Sequence, residues 1–139
     1  MQIPIKPTSE MMNLLCTICG GIAGVTLRHL ANQWIPQRLG TSFPWATLSV
    51  NLAGCLVIGL LGALLPHWAP HRPELRYLMV VGFLGGLTTF SSFSMECFLM
   101  LENRRFQAFS VYISVSLAGG LSLVWLGYSI GHKLTTAWH

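Results

Sequence analysis

Charge is what this 139-residue chain has least of. Lysine, arginine, aspartate and glutamate make up 9% of its residues, against 53% hydrophobic residues and a mean hydropathy of +0.58. A soluble domain normally carries about 25% charged residues. The shortfall leaves too little polar surface to coat a water-soluble globule, so the chain reads as one integral membrane domain, residues 1–139. Long basic runs are missing too. The eight basic residues are Lys6, Arg28, Arg38, Arg72, Arg76, Arg104, Arg105 and Lys133, and they lie at the ends of apolar spans. A net charge of +4 therefore offers no track for a phosphate backbone, which excludes nucleic acid as a partner.

Other absences narrow the reading further. No Walker-type phosphate loop occurs, so no nucleotide-driven step is expected. The histidines at 29, 67, 71, 132 and 139 mark span ends and loops without an acidic partner placed for a triad, so no enzyme is expected. Cys16-x-x-Cys19 has redox spacing but lacks a second pair and a strand context. Together with Cys55 and Cys97 it reads as small buried hydrophobes on membrane helices. Met1–Glu10 has neither a basic n-region nor a small-residue cleavage site, so no removable signal peptide is expected.

What remains is four apolar spans, expected at about residues 11–34, 45–65, 75–101 and 106–130. Each meets the ~20 residues needed to cross ~30 Å of hydrocarbon. Gly20-x-x-x-Gly24, Gly82/Gly86 and Gly127/Gly131 are spaced to let helix backbones approach closely. Pro36, Arg38, Gly40 and Thr41 read as the first connection, and Pro44 as a first-turn proline of the second span. Four spans put both termini on one side. That side carries Lys6, Arg72, Arg76 and Lys133, and the other carries Arg28, Arg38, Arg104 and Arg105. Positive residues in short loops normally fix orientation. Here they balance, which permits insertion in both directions and an antiparallel pair of identical subunits.

The third span holds the stretch with most chemistry, residues 80–96. Gly85-Gly86 weakens helical geometry, so a break is expected at Gly85–Thr88. Broken backbone at membrane depth survives only where protein or a polar cavity re-satisfies it. Thr88, Thr89, Ser91, Ser92 and Ser94 supply five hydroxyls in seven residues, around Phe90 and Phe93 on one helical face. Residues 80–95 contain no charged side chain. A proton-coupled carrier needs an intramembrane carboxylate and a cation path favours rings of carboxylates or carbonyls. Neutral donors with positive ring edges suit a small anion better. Asn51, a carboxamide inside the second span, is either an interhelical hydrogen bond or a donor on that path.

Gly82-Phe83-Leu84-Gly85-Gly86-Leu87-Thr88-Thr89-Phe90-Ser91-Ser92-Phe93-Ser94 closely resembles the signature of the Fluc/CrcB family of bacterial fluoride channels. Gly20-Gly21-x-x-Gly24 with Arg28, and Thr47-Leu48-x-Val50-Asn51-x-x-Gly54, match it as well, and the similarity covers about residues 17 to 128. The resemblance implies an all-α, antiparallel dual-topology homodimer in the inner membrane, with two fluoride pores and a central Na⁺. The carbonyls of Gly85 and Thr88 would hold the Na⁺. Asn51, Phe90, Phe93, Ser91, Ser94, Tyr112 and Ser116 would line the pore, and Arg28 and Glu96 would be vestibule or structural residues. In one respect the chain departs from that family. A row of hydroxyls at four-residue spacing on the fourth helix begins with Ser116 but meets Gly120 and Val124 next, while Ser122 lies on another face.

Two other readings fit four spans. A small dual-topology multidrug exporter needs an embedded acidic residue in its first helix, and none occurs between Met11 and Trp34. A purely structural membrane subunit would explain the glycine faces but not the hydroxyl-rich break.

Overall fold

The computed structural model describes residues 7–137; Lys6 and His139, named above, lie outside them. Among the described residues all regular structure is helical. The elements are α1 (Pro7–Leu39), α2 (Trp45–Trp68), α3, α4 (Phe90–Glu102) and α5. α3 runs without interruption from Pro73–Arg76 through wide, π-type turns at Tyr77–Leu84 to Gly85–Leu87. α5 likewise joins Phe106–Ser114 to Gly120–Thr136 through π-type turns at Val115–Gly119. Four stretches are long and apolar enough to cross a membrane: Thr8–Leu39, Trp45–Trp68, Pro73–Glu102 and Phe106–Thr136. α3 and α4 share the third.

α1 is longer than the expected 11–34, and Pro36 and Arg38 belong to it and not to a connection. A proline this close to a helix end removes a single backbone bond, a loss that packing absorbs. The helix stops at Gly40, whose φ of 82° turns its amide back to the Pro36 carbonyl at 2.8 Å. Only glycine adopts that conformation without strain.

The glycine pairs anticipated as close-approach faces pack α1 directly on α3. A Cβ on Gly20 would sit 2.0 Å from the Leu78 carbonyl oxygen, and one on Gly24 would sit 2.1 Å from that of Phe83. From the other side, Gly82 abuts the Thr17 carbonyl and Gly86 abuts Gly21. The same device joins α2 to α5, with Gly59 against Val124 and Gly127 against Leu56. These contacts are backbone on backbone, so no side-chain rotation can make room. Gly24→Ala is therefore expected to destabilise the protein by about 1–3 kcal/mol or more. Gly62→Ala is expected to be neutral, because the nearest atom to its added Cβ lies 3.9 Å away. Thermal unfolding of the two detergent-purified variants checks the contrast.

α2 occupies the centre. In its most apolar window 39% of residues are buried, against 11% in each of the first and last spans. One core cluster joins Val50 and Leu61 of α2 to Leu84 and Leu87 of α3. A second joins Leu48 of α2 to Cys97 and Met100 of α4 and Tyr112 of α5. The outer faces stay apolar and open, with Leu121 74% and Trp125 71% exposed. Such surfaces require lipid or another apolar helix. Cys97 is buried as anticipated, whereas Cys19 points outward from α1, because helical periodicity puts it on the face away from the α3 seam.

Candidate functional site

The third span does break, but at Thr88–Thr89, the downstream edge of the expected stretch. Gly85 keeps helical angles of −62° and −35°, and α3 continues through Leu87. Two glycines in a helix cost only about 1 kcal/mol each, and here Gly86 serves docking against Gly21. The break itself is extended backbone, with ψ of 158° at Thr88 and 115° at Thr89.

Asn51 holds it open. Its Nδ2 donates to the Thr89 carbonyl at 3.2 Å, and its Oδ1 accepts from the Thr89 amide at 2.9 Å. A continuing helix would send that amide to the Gly85 carbonyl, which thus loses its helical donor. Of the two readings of Asn51, the structure shows the interhelical hydrogen bond, and the side chain also borders a cavity. The side chain of Thr89 caps α4, with its Oγ1 accepting from the Ser92 amide at 3.3 Å and lying 3.1 Å from Ser92 Oγ and 3.3 Å from Ser91 Oγ. Thr88 and Ser94 instead turn their hydroxyls back to Leu84 and Phe90 carbonyls, each at 2.9 Å. Macrodipole ends of opposite sign then meet at the break. The carbonyl end of α3 favours a cation, and the amide end of α4 favours an anion.

Beside the break lies a cavity of about 390 Å³, lined by Asn51, Gly85, Thr88, Phe90, Phe93 and Ser116 among others. The Phe90 and Phe93 rings lie 5.8 Å apart, and Phe93 packs on Tyr112 at 5.1 Å. Phe90 is 78% exposed. Of the expected lining residues, the structure gathers Asn51, Phe90, Phe93 and Ser116 here. Ser91 and Ser94 lie on the exposed face of α4, and Tyr112 is wholly buried behind Phe93.

Toward the α1–α2 connection a polar cleft of about 440 Å³ opens, lined in part by Asn32, Thr47, Ser92, Glu96, Asn103 and Arg105. The Glu96 carboxylate is held at both oxygens, by Thr47 Oγ1 and by Tyr112 OH, each at 2.6 Å. Two short hydrogen bonds fix its orientation beside this cleft. Arg105 is tied by its guanidinium to the Ser42 carbonyl. Arg28 reaches the break from α1. Half-buried and eleven residues before the end of α1, it directs Nη1 to the Thr88 carbonyl at 3.4 Å.

The fourth-helix hydroxyl row ends for a visible reason. A Cβ on Gly120 would lie 3.3 Å from Cys55 Sγ, and the Val124 carbonyl faces Gly59. Beyond Ser116, α5 turns this face onto α2, so further hydroxyls there would not reach the cavity. Ser122 is exposed. Thr47 was not anticipated as a site residue, and Thr89, counted among the third-span hydroxyls, was not anticipated as the cap of α4. Thr89-x-x-Ser92 was readable as a capping pattern, but no local signal joins Thr47 to Glu96, 49 residues away.

Residues 15–128 match the family model described as CrcB-like protein, Camphor Resistance (CrcB). The chain is 38% identical over 124 residues to the fluoride-specific ion channel FluC of Rhizobium etli, covering 89% of this chain and 99% of that one. It is 42% identical over 123 residues to the fluoride-specific ion channel FluC of Xanthomonas axonopodis pv. citri, covering 88% and 92%. Against the protein of the same description in Pseudomonas putida it is 43% identical over 121 residues, covering 86% and 98%.

Proposed function

Because the chain belongs to the CrcB-like family, we propose that it is a fluoride-specific ion channel, a multi-pass protein of the bacterial inner membrane that lets cytoplasmic fluoride leave passively. The observation that carries this reading is the cavity at the Thr88–Thr89 break, where a carboxamide, hydroxyls and aromatic rings meet without a charged side chain. Hydrogen fluoride is a weak acid that crosses membranes neutral and ionises in the more alkaline cytoplasm, trapping fluoride. The inside-negative potential, about 2.3 kcal/mol per charge per 100 mV, then drives the anion out through any selective pore.

Fluoride is strongly hydrated, so a pore must replace its water donors. Asn51 spends one N–H on Thr89 and has a second to offer; Ser116 adds a hydroxyl, and Phe90 and Phe93 add positive ring edges. Ser91, exposed on α4, extends that line of donors once a second subunit covers it, and Ser94 joins it by rotating its hydroxyl off the Phe90 carbonyl. Tyr112 backs Phe93 and, with Thr47, orients Glu96 at the mouth. A larger halide fits the same donors less well.

We further propose that two copies assemble antiparallel, each in the opposite orientation, with Na⁺ at their centre. The residues fit such an ion: Gly85 has a carbonyl deprived of its helical donor, and the Thr88 carbonyl accepts one long hydrogen bond from Arg28, at 3.4 Å, which leaves a lone pair. One chain offers two such oxygens, too few for a hard cation, so the partner would supply the matching pair. The bound cation would join the two breaks structurally, without gating the pores. Balanced basic residues and the exposed apolar faces of α4 and α5 support the pairing.

Fluoride efflux from liposomes holding the full chain tests the reading. A fluoride current far above chloride, weakened when Na⁺ is withheld during purification, is expected. Equal chloride current would count against the channel, and carboxyl-terminal reporters seen on only one side of the membrane would count against dual topology.

A further inference from the structure

A third cleft, of about 520 Å³, opens where α2 ends and α3 begins. Its walls are Ile58, Leu61, Leu65 and Val80, and its rim carries Arg72 and Arg76. Ile58 and Val80 also line the central cavity, so the two spaces lie on either side of a shared wall. One face of α2 thus borders openings along its whole length, from the cleft near Trp68 through Asn51 to the polar cleft near Trp45. Its 24 residues extend about 36 Å, enough to span the hydrocarbon.

Given the channel reading, on which this rests, we propose that Arg76 is the anion-collecting charge at the Trp68 end of this groove. Glu74 sets how much Arg72 adds. The two arginines are not equivalent. Arg72 Nε lies 3.2 Å from Glu74 Oε1, so its charge is largely offset locally. Arg76 is exposed at the rim beside them. Apolar walls below it cannot screen its field, and a low-dielectric cleft focuses that field on the opening. An exposed guanidinium in this place raises the local concentration of a small anion without binding it. The walls beneath it hold no further charge, so the arginine sets delivery and the central donors set selectivity.

Single-channel fluoride conductance of the full chain in planar bilayers tests this. Parent, Arg76→Gln, Arg76→Lys and Glu74→Gln would be compared at about 0.01 M and about 1 M ionic strength, where screening lengths are about 30 and 3 Å. At low ionic strength Arg76→Gln is expected to lower conductance about two- to threefold, and Glu74→Gln to raise it by releasing Arg72. Arg76→Lys should match the parent, both effects should vanish at high ionic strength, and fluoride preference over chloride should hold throughout. Equal effects at both ionic strengths, or effects of the same sign for Arg76→Gln and Glu74→Gln, would overturn the assignment. So would conductance unchanged by either substitution while the parent conducts. An Arg76→Gln effect confined to bilayers containing anionic phospholipid would assign Arg76 to a lipid headgroup and also overturn it. A parent that passes no fluoride would sink the channel reading itself.

Discussion

Replacing Asn51 with leucine is expected to abolish fluoride efflux and weaken the fold at once. The side chain makes both hydrogen bonds that hold Thr89 out of helical geometry. Without it, an amide and a carbonyl at membrane depth lose their partners, at about 1–3 kcal/mol each. Water cannot substitute there as it would in a soluble loop. The chain would either re-form a continuous helix through Thr88–Thr89 or open locally, and in both cases α4 loses the amide-ended start that faces the cavity. Asn51→Asp separates the two consequences. A carboxylate still accepts from the Thr89 amide, so much of the fold survives, but it donates nothing and repels an anion. Efflux near the background of empty liposomes is therefore expected in both variants, with a lowered unfolding temperature mainly in the leucine variant. A leucine variant that conducts normally would remove Asn51 from the pore and from the break.

Phenylalanine replacement should give the opposite pattern, loss of flux without loss of stability. Phe90 is 78% exposed within the subunit, so Phe90→Ile removes almost no internal packing. Phe93 is half-buried against Tyr112, and isoleucine retains most of the contact there. What neither isoleucine retains is the positive ring edge. Aromatic edge interactions contribute about 0.5–1.5 kcal/mol each, and two such contacts on one ion's path amount to roughly a tenfold to hundredfold change in rate. Each substitution removes one such contact and is expected to cut fluoride efflux by about two- to tenfold, and the double substitution by the full factor, while the protein elutes unchanged on size exclusion. Unchanged flux in either variant would take that ring out of the path.

The order of these effects follows from what each residue touches. On the channel reading proposed above, Asn51 serves backbone and ion together, and the phenylalanines serve chiefly the ion. Gly24 acts on neither, since its closeness to Phe83 concerns only how α1 seats on α3.

Composition and hydropathy by themselves determined that this is a four-span membrane protein, because too few charges remain to face water. Spacing alone also revealed the glycine seams, since positions four apart share a helix face whatever the tertiary context. The motif in residues 82–94 is by itself enough to mark the family. Tertiary structure decided where the third span breaks. Gly85-Gly86 carried the local signal, yet those glycines stay helical, because losing a little propensity is cheap beside the two bonds that Asn51 makes to Thr89 from 38 residues away. It also decided that Thr47 and Tyr112 hold Glu96, and that Arg28 bends inward to the Thr88 carbonyl. Each is a polar contact between segments far apart in the chain. Such pairings depend on how helices are rotated and seated, and local pattern carries no record of that.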